Sequence, residues 1–156
     1  MKKSGFTMIE LIFVIVVLGI LAAVALPKFQ AVGNQAHVGN LKSFTGTLNG
    51  TVGPSIWSKA VANHDGNISA QVQDDGTEDA TAYVDIPKEI SDVNLSYCDD
   101  ASKFKIVATG NKAVNGDDYE IGCKDGDGTS SPEFHLYKDN VAMGGDANES
   151  KKIFPK

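Results

Sequence analysis

One carboxylate constrains this chain more than any other residue. Glu10 heads an apolar run, Leu11–Leu26, that carries no charge and a single glycine. A charged side chain within a membrane-length apolar helix costs about 2.5–3.5 kcal/mol on insertion scales. A chain that keeps such a residue near its N-terminus needs a partner for the charge. As a helix, Phe6–Leu26 would reach ~31 Å, enough to cross a hydrocarbon core. Lys2 and Lys3 precede it, which puts that flank on the cytoplasmic side by the positive-inside rule.

Three readings compete for this segment. A secretory signal would use Met1–Lys3 as its basic region and Ala23-Val24-Ala25 as its cleavage site. Glu10 inside the apolar region and Pro27 just past the cut speak against it. A plain single-span anchor explains length and orientation but leaves Glu10 without a partner. The third reading accounts for every residue. The pattern Lys2-Lys3-Ser4-Gly5-Phe6-Thr7-Met8-Ile9-Glu10, followed by the apolar run and Pro27, resembles the N-terminus of type IV prepilins and type II secretion pseudopilins.

The resemblance implies a leader, residues 1–5, removed by a prepilin peptidase at the Gly5–Phe6 bond. It implies N-methylation of Phe6 and a transmembrane, later filament-core, helix over residues 6–26. Glu10, the fifth residue of the mature chain, would pair with the Phe6 amine of a neighbouring subunit and set the register of assembly. Opposite charges attract strongly in a low-dielectric core, and an unpaired one there is costly. The implied partners are further copies in a helical filament, the peptidase and N-methyltransferase, and a pilus or secretion machinery in the inner membrane. The implied location is that membrane before assembly, and an extracellular pilus or periplasmic pseudopilus after it. The stretch Leu26–Asp65 is similar to the corresponding segment of type IVa pilins of the MSHA type, which favours a pilin over a pseudopilin.

Pro27 lacks an N–H and clashes with the carbonyl four residues back, so a kink or local melt is expected there. The apolar pattern then resumes at Phe29, Val32, Ala36, Leu41, Phe44, Leu48, Val52, Ile56 and Ala60. That spacing predicts the amphipathic half of the same helix over residues 27–64. Glycines at 33, 39, 46, 50 and 53 weaken it, each by roughly 1 kcal/mol against alanine. Ser55–Asn63 reads as its end and Asn63–Gly66 as the exit turn. A continuous helix of this extent would measure ~80 Å.

Residues 65–156 read as a globular β head. Asn67–Glu78 is polar and reads as a loop. Ala82–Ile86 and Val93–Cys98 read as short strands, with Pro87–Asp92 a turn or short helix between them. Lys103–Thr109, Tyr119–Cys123 and Glu133–Lys138 are rich in β-branched and aromatic residues and read as strands of an antiparallel meander. The predicted fold class is therefore α+β, a long N-terminal helix packed on a small antiparallel sheet, which is the pilin fold. Cys98 and Cys123 lie behind an export or membrane segment, so they are expected to form a disulfide.

Catalytic motifs are missing from the sequence: it holds no nucleophile elbow, phosphate loop or zinc-ligand spacing, which points away from an enzyme. Net charge is −6, which disfavours nucleic acid as a partner. The loop Asp125-Gly126-Asp127-Gly128, with Glu133 beyond, offers carboxylates for Ca2+ without matching an EF-hand. Its plainer reading is a solvated turn. His37, His64 and His135 are widely separated and read as surface or partly packed residues. Asn49-Gly50-Thr51, Asn67-Ile68-Ser69 and Asn94-Leu95-Ser96 match the glycosylation acceptor pattern by chance.

Overall fold

A computed structural model describes residues 5–116, 118–139 and 141–142. The chain divides into two units with the boundary between Ala36 and His37. That boundary falls inside the first helix, α1 (Met8–Thr47), which stays helical through Pro27 without the expected melt. In the first unit the apolar side chains from Phe6 to Val32 stand largely exposed. This stretch is long and apolar enough to cross a membrane.

In the second unit the helical path has three parts: the end of α1, a π turn at Leu48–Val52, and α2 (Gly53–Asn63). The sequence explains the π turn. The buried residues Phe44, Leu48, Val52, Ile56 and Ala60 recur every fourth position. A regular α-helix advances about 100° per residue, so this stripe would drift roughly 160° off the core by Ala60. One wider turn absorbs an extra residue and cuts that drift to roughly 60°. The stripe begins at Leu41; Phe29, Val32 and Ala36 of the sequence pattern are exposed.

Beyond α2 come α3 (Ile68–Asp74), a 3-10 turn at Ala80–Ala82, β1 (Ile90–Val93), a second 3-10 turn at Leu95–Tyr97, and β2 (Lys105–Gly110). Then follow α4 (Lys112–Asn115), β3 (Tyr119–Lys124), β4 (Glu133–Lys138) and β5 (Val141–Ala142). The strands form one antiparallel sheet in the order β1-β2-β3-β4-β5. Its inner face supplies Val107, Tyr119, Ile121, Cys123, Phe134 and Leu136 to the core, against Leu41–Ala60 of the helix and Ile68 and Val72 of α3. The α+β class is as read from the sequence.

Two contacts bring helix and sheet close. A Cβ on Gly53 would stand 3.0 Å from the Phe134 ring and 3.1 Å from Pro132, so the glycine that weakens the helix permits its approach to β4. One turn earlier, Asn49 acts as a strand surrogate. Its Nδ2 donates to Phe134 O at 2.6 Å and its Oδ1 accepts from Phe134 N at 2.8 Å. Main-chain groups alternate sides along a strand, so Asn49 fills the stretch of β4 edge that β5 is too short to pair.

Several local expectations fail. Asn67–Glu78 holds α3 rather than only loop, because the Asn67 side chain caps it by accepting from Ala70 N. Ala82–Ile86 is not a strand, since Asp79 caps a 3-10 turn at its start. Val93–Cys98 is also misread. The strand is β1, which takes Ile90–Asp92 from the stretch expected to turn and only Val93 from the expected strand, and Asn94 redirects the chain into the Leu95–Tyr97 turn by accepting from Ser96 N. In each case a short Asn or Asp side chain satisfies a main-chain donor that a ladder would otherwise need. The tail read as polar up to Ile153-Phe154 lies outside the described residues.

Candidate functional site at the N-terminal segment

Gly5 and Phe6 lie exposed and outside helix, immediately before α1. Lys2, Lys3 and Ser4 lie outside the described residues. Thr7 and Glu10 organise the start of the helix. Thr7 N and Thr7 Oγ1 both donate to Glu10 Oε2, at 2.8 and 2.7 Å, and Glu10 N donates to Thr7 Oγ1 at 3.4 Å. This is a reciprocal capping box: two of the helix's orphan N–H groups are satisfied at once. Leu11 N to Thr7 O, 3.2 Å, opens the helical ladder above it.

The cap adds what the sequence reading missed. Thr7-x-x-Glu10 before an apolar run is itself the capping-box pattern, so Glu10 has a partner within its own chain. An acid at a helix N-terminus is also favoured by the helix dipole. The segment therefore presents an accessible Gly–Phe bond, a rigidly started helix, and a carboxylate held one turn in.

A family model described as the prokaryotic N-terminal methylation motif matches residues 1–26. Over this segment the chain is similar to type IV pilins. Over 41 residues it is 49% identical to the type IV narrow pilus major component PilA5 of Thermus thermophilus, covering 26% of this chain and 35% of that protein. Over 46 residues it is 41% identical to the type IV major fimbrial protein FimA of Dichelobacter nodosus, covering 30% of each. The chain thus spans about a third of the length of the curated relatives it matches. No solved structure matches it.

The other residues singled out from the sequence are spread over the second unit, apart from Pro27 within α1. Cys98 and Cys123 are joined as a disulfide, both buried, tying the chain ahead of β2 to the end of β3. Asp125, Asp127 and Glu133 do not converge: among the described residues no three His, Cys, Asp or Glu side chains stand close enough to hold a metal ion. Asp125 Oδ1 instead accepts from Ile68 N at 3.0 Å and Gly126 N at 2.7 Å. Burial pushes its carboxyl up to about 6, with Asp99 and Asp100 adding to the rise against those two N–H donors. Asp127 Oδ1 gathers Thr129 Oγ1, Thr129 N and Ser130 N, bonds that hold its carboxyl below the usual range. Glu133 is exposed on β4.

The histidines serve packing. His37 Nδ1 lies 2.8 Å from Glu89 Oε1, which also accepts from Asn40 at 3.0 Å. Burial works to raise the Glu89 carboxyl, and the His37 and Asn40 bonds outweigh it, leaving it lowered. His64 pairs with Asp74 at 3.0 Å, and His135 stacks on Phe104.

Proposed function

We propose that the chain is a structural subunit of a type IV pilus-like filament, made as an inner-membrane precursor, and not an enzyme. The methylation-motif match over residues 1–26 carries the proposal. Lys2 and Lys3 hold the leader on the cytoplasmic side. A prepilin peptidase cuts between Gly5 and Phe6, and the new Phe6 amine is methylated. The exposure of both residues outside the helix fits access by such an enzyme. Phe6–Leu26 anchors the subunit, then packs among its neighbours once extracted, burying surface that is exposed in the single chain. There Glu10 pairs with the Phe6 amine of an adjacent copy, and the disulfide-bonded head covers the fibre. Adhesion, motility and DNA uptake are the roles open to it.

A pseudopilin driving type II secretion is the nearest rival. The names of the matched relatives, a major pilus component and a major fimbrial protein, favour a pilin. N-terminal sequencing and intact mass of the chain from membranes test the processing: a methylated Phe6 start is expected. A chain retaining Met1–Gly5 would overturn it and leave an unprocessed, membrane-anchored binding module. Imaging with an antibody to the head separates long surface fibres from short periplasmic ones.

A further inference from the structure

We propose that Asn49–Gly50 is a deamidation site guarded by the fold, and that its conversion unlatches β4 from the helix. The chain has two Asn-Gly pairs, Asn49–Gly50 and Asn115–Gly116. With no side chain in the way, a glycine nitrogen can attack the amide carbon of a preceding asparagine. Here Gly50 N would bond to Asn49 Cγ, and the carboxamide nitrogen would leave as ammonia. Water then opens the cyclic imide to aspartate or isoaspartate. The balance is one amide plus one water giving one acid plus ammonia, with no change of oxidation state.

Hydrogen bonding guards the site, not burial. Asn49 Nδ2 donates to Phe134 O at 2.6 Å and Thr45 O at 3.2 Å, and Oδ1 accepts from Phe134 N at 2.8 Å. Gly50 lies in the π turn, where helical backbone keeps its nitrogen away from Cγ. A Cβ on Gly50 would meet nothing within 4 Å, so the site is open to water. The reaction must wait for the latch to open. Once it runs, the latch cannot re-form: an aspartate has no donor for the two carbonyls and sets a negative charge against them. Phe134 then loses the partner for its C=O, and that stretch of β4 edge is uncovered. The same contacts argue against Asn49 as a sugar acceptor, since a glycan on Nδ2 would break them.

Asn115–Gly116 is the second pair, and its Gly116 N donates to Lys112 O at 3.0 Å. It ends the four-residue α4, with Gly116 exposed, at φ 76° and with nothing within 4 Å of a Cβ. The full chain in detergent micelles is incubated at mildly alkaline pH, folded or in denaturant, and the amide-to-acid mass shift is followed on peptides carrying each pair. Because the reaction tracks the opened population, Asn49 should convert at least about tenfold more slowly when folded than when denatured. Equal folded and denatured rates at Asn49 would overturn the proposal. In Asn49→Asp the carboxylate keeps an acceptor for Phe134 N but repels Phe134 O and Thr45 O, so the head should unfold at lower denaturant than the parent at pH 7.5 and recover towards it near pH 4, where the new carboxyl is protonated and can donate again. The same midpoint as the parent at both pH values would overturn the unlatching, and the rate comparison on the unaltered chain stands even if that variant does not fold.

Discussion

Thr7 and Glu10 cap the first turn of the long helix reciprocally, the threonine N–H and hydroxyl converging on one carboxylate oxygen. This alters the problem that Glu10 poses. Its charge is shielded within its own chain before any neighbour arrives, and one of its oxygens is committed to the cap. The other takes no part in the cap, which leaves it for the partner subunit proposed above.

Glu10→Gln separates the two roles. The glutamine oxygen can still accept from Thr7, so the cap survives, but the charge is gone. Membrane insertion should be unchanged or improved, while filaments drop to background in sheared-surface preparations. Glu10→Ala should also block assembly and should lose the carboxylate half of the capping box, at up to about 1 kcal/mol, while the main-chain N–H of residue 10 still donates to Thr7 Oγ1. Normal filaments from Glu10→Gln would sink the charge-pairing role.

Gly66 carries a second sharp expectation. Its φ is +86°, and a Cβ there would stand 2.0 Å from Asp127 O. The same turn is pinned by Trp57 Nε1, which donates to Asp127 O at 2.8 Å. Gly66→Ala combines left-handed strain with a main-chain clash, so it should destabilise the head by ~3 kcal/mol or more. Gly46→Ala is the contrast, lying mid-helix with nothing within 4 Å. It should stabilise the head by up to ~1 kcal/mol. Denaturant titration followed by Trp57 fluorescence reads both.

The sequence made some of this legible for physical reasons. The apolar anchor, the helix exit at Asn63 and the strands around Tyr119 and Phe134 depend on periodicity and β-branched content, which one sequence carries. The segment from Asn67 to Cys98 was opaque because its structure comes from single side chains. Asn67, Asp79 and Asn94 each cap a short turn, and polar composition alone reads as loop. The π turn was readable in principle, since a four-residue repeat cannot stay on one face of an α-helix. The Asn49–Phe134 clip was not, because it joins positions 85 apart.

The Cys98–Cys123 bond closes a loop with a sequence separation of 25. Loop-closure entropy for that length is worth ~3 kcal/mol. Cys98→Ala with Cys123→Ala should lower head stability by about that amount while leaving the proposed N-terminal processing intact, because the proposed cut site lies in the other unit. A double variant that melts like the parent would show that the core alone holds the sheet.

Asp125 should make the head more stable in mild acid than at neutral pH. Its carboxyl is raised from 3.8 to about 6 in the folded chain, chiefly by burial. Oδ2 is buried and, among the described residues, lacks a hydrogen-bond partner. The folded state therefore binds this proton more tightly than the unfolded state. Stability from this group is fully present below about pH 4, falls as pH rises, and is lost once pH passes about 6. The size is ~2–3 kcal/mol, at about 1.4 kcal/mol per pKa unit. Asp125→Asn keeps an oxygen to accept from Ile68 and Gly126 and removes the charge, so the variant should gain on the parent at pH 7.5 and not at pH 4. The two chains differ only at this group, so the difference between the two stability profiles isolates Asp125. Parallel profiles across pH 4–7.5 would mean that the carboxylate finds compensation where it lies buried.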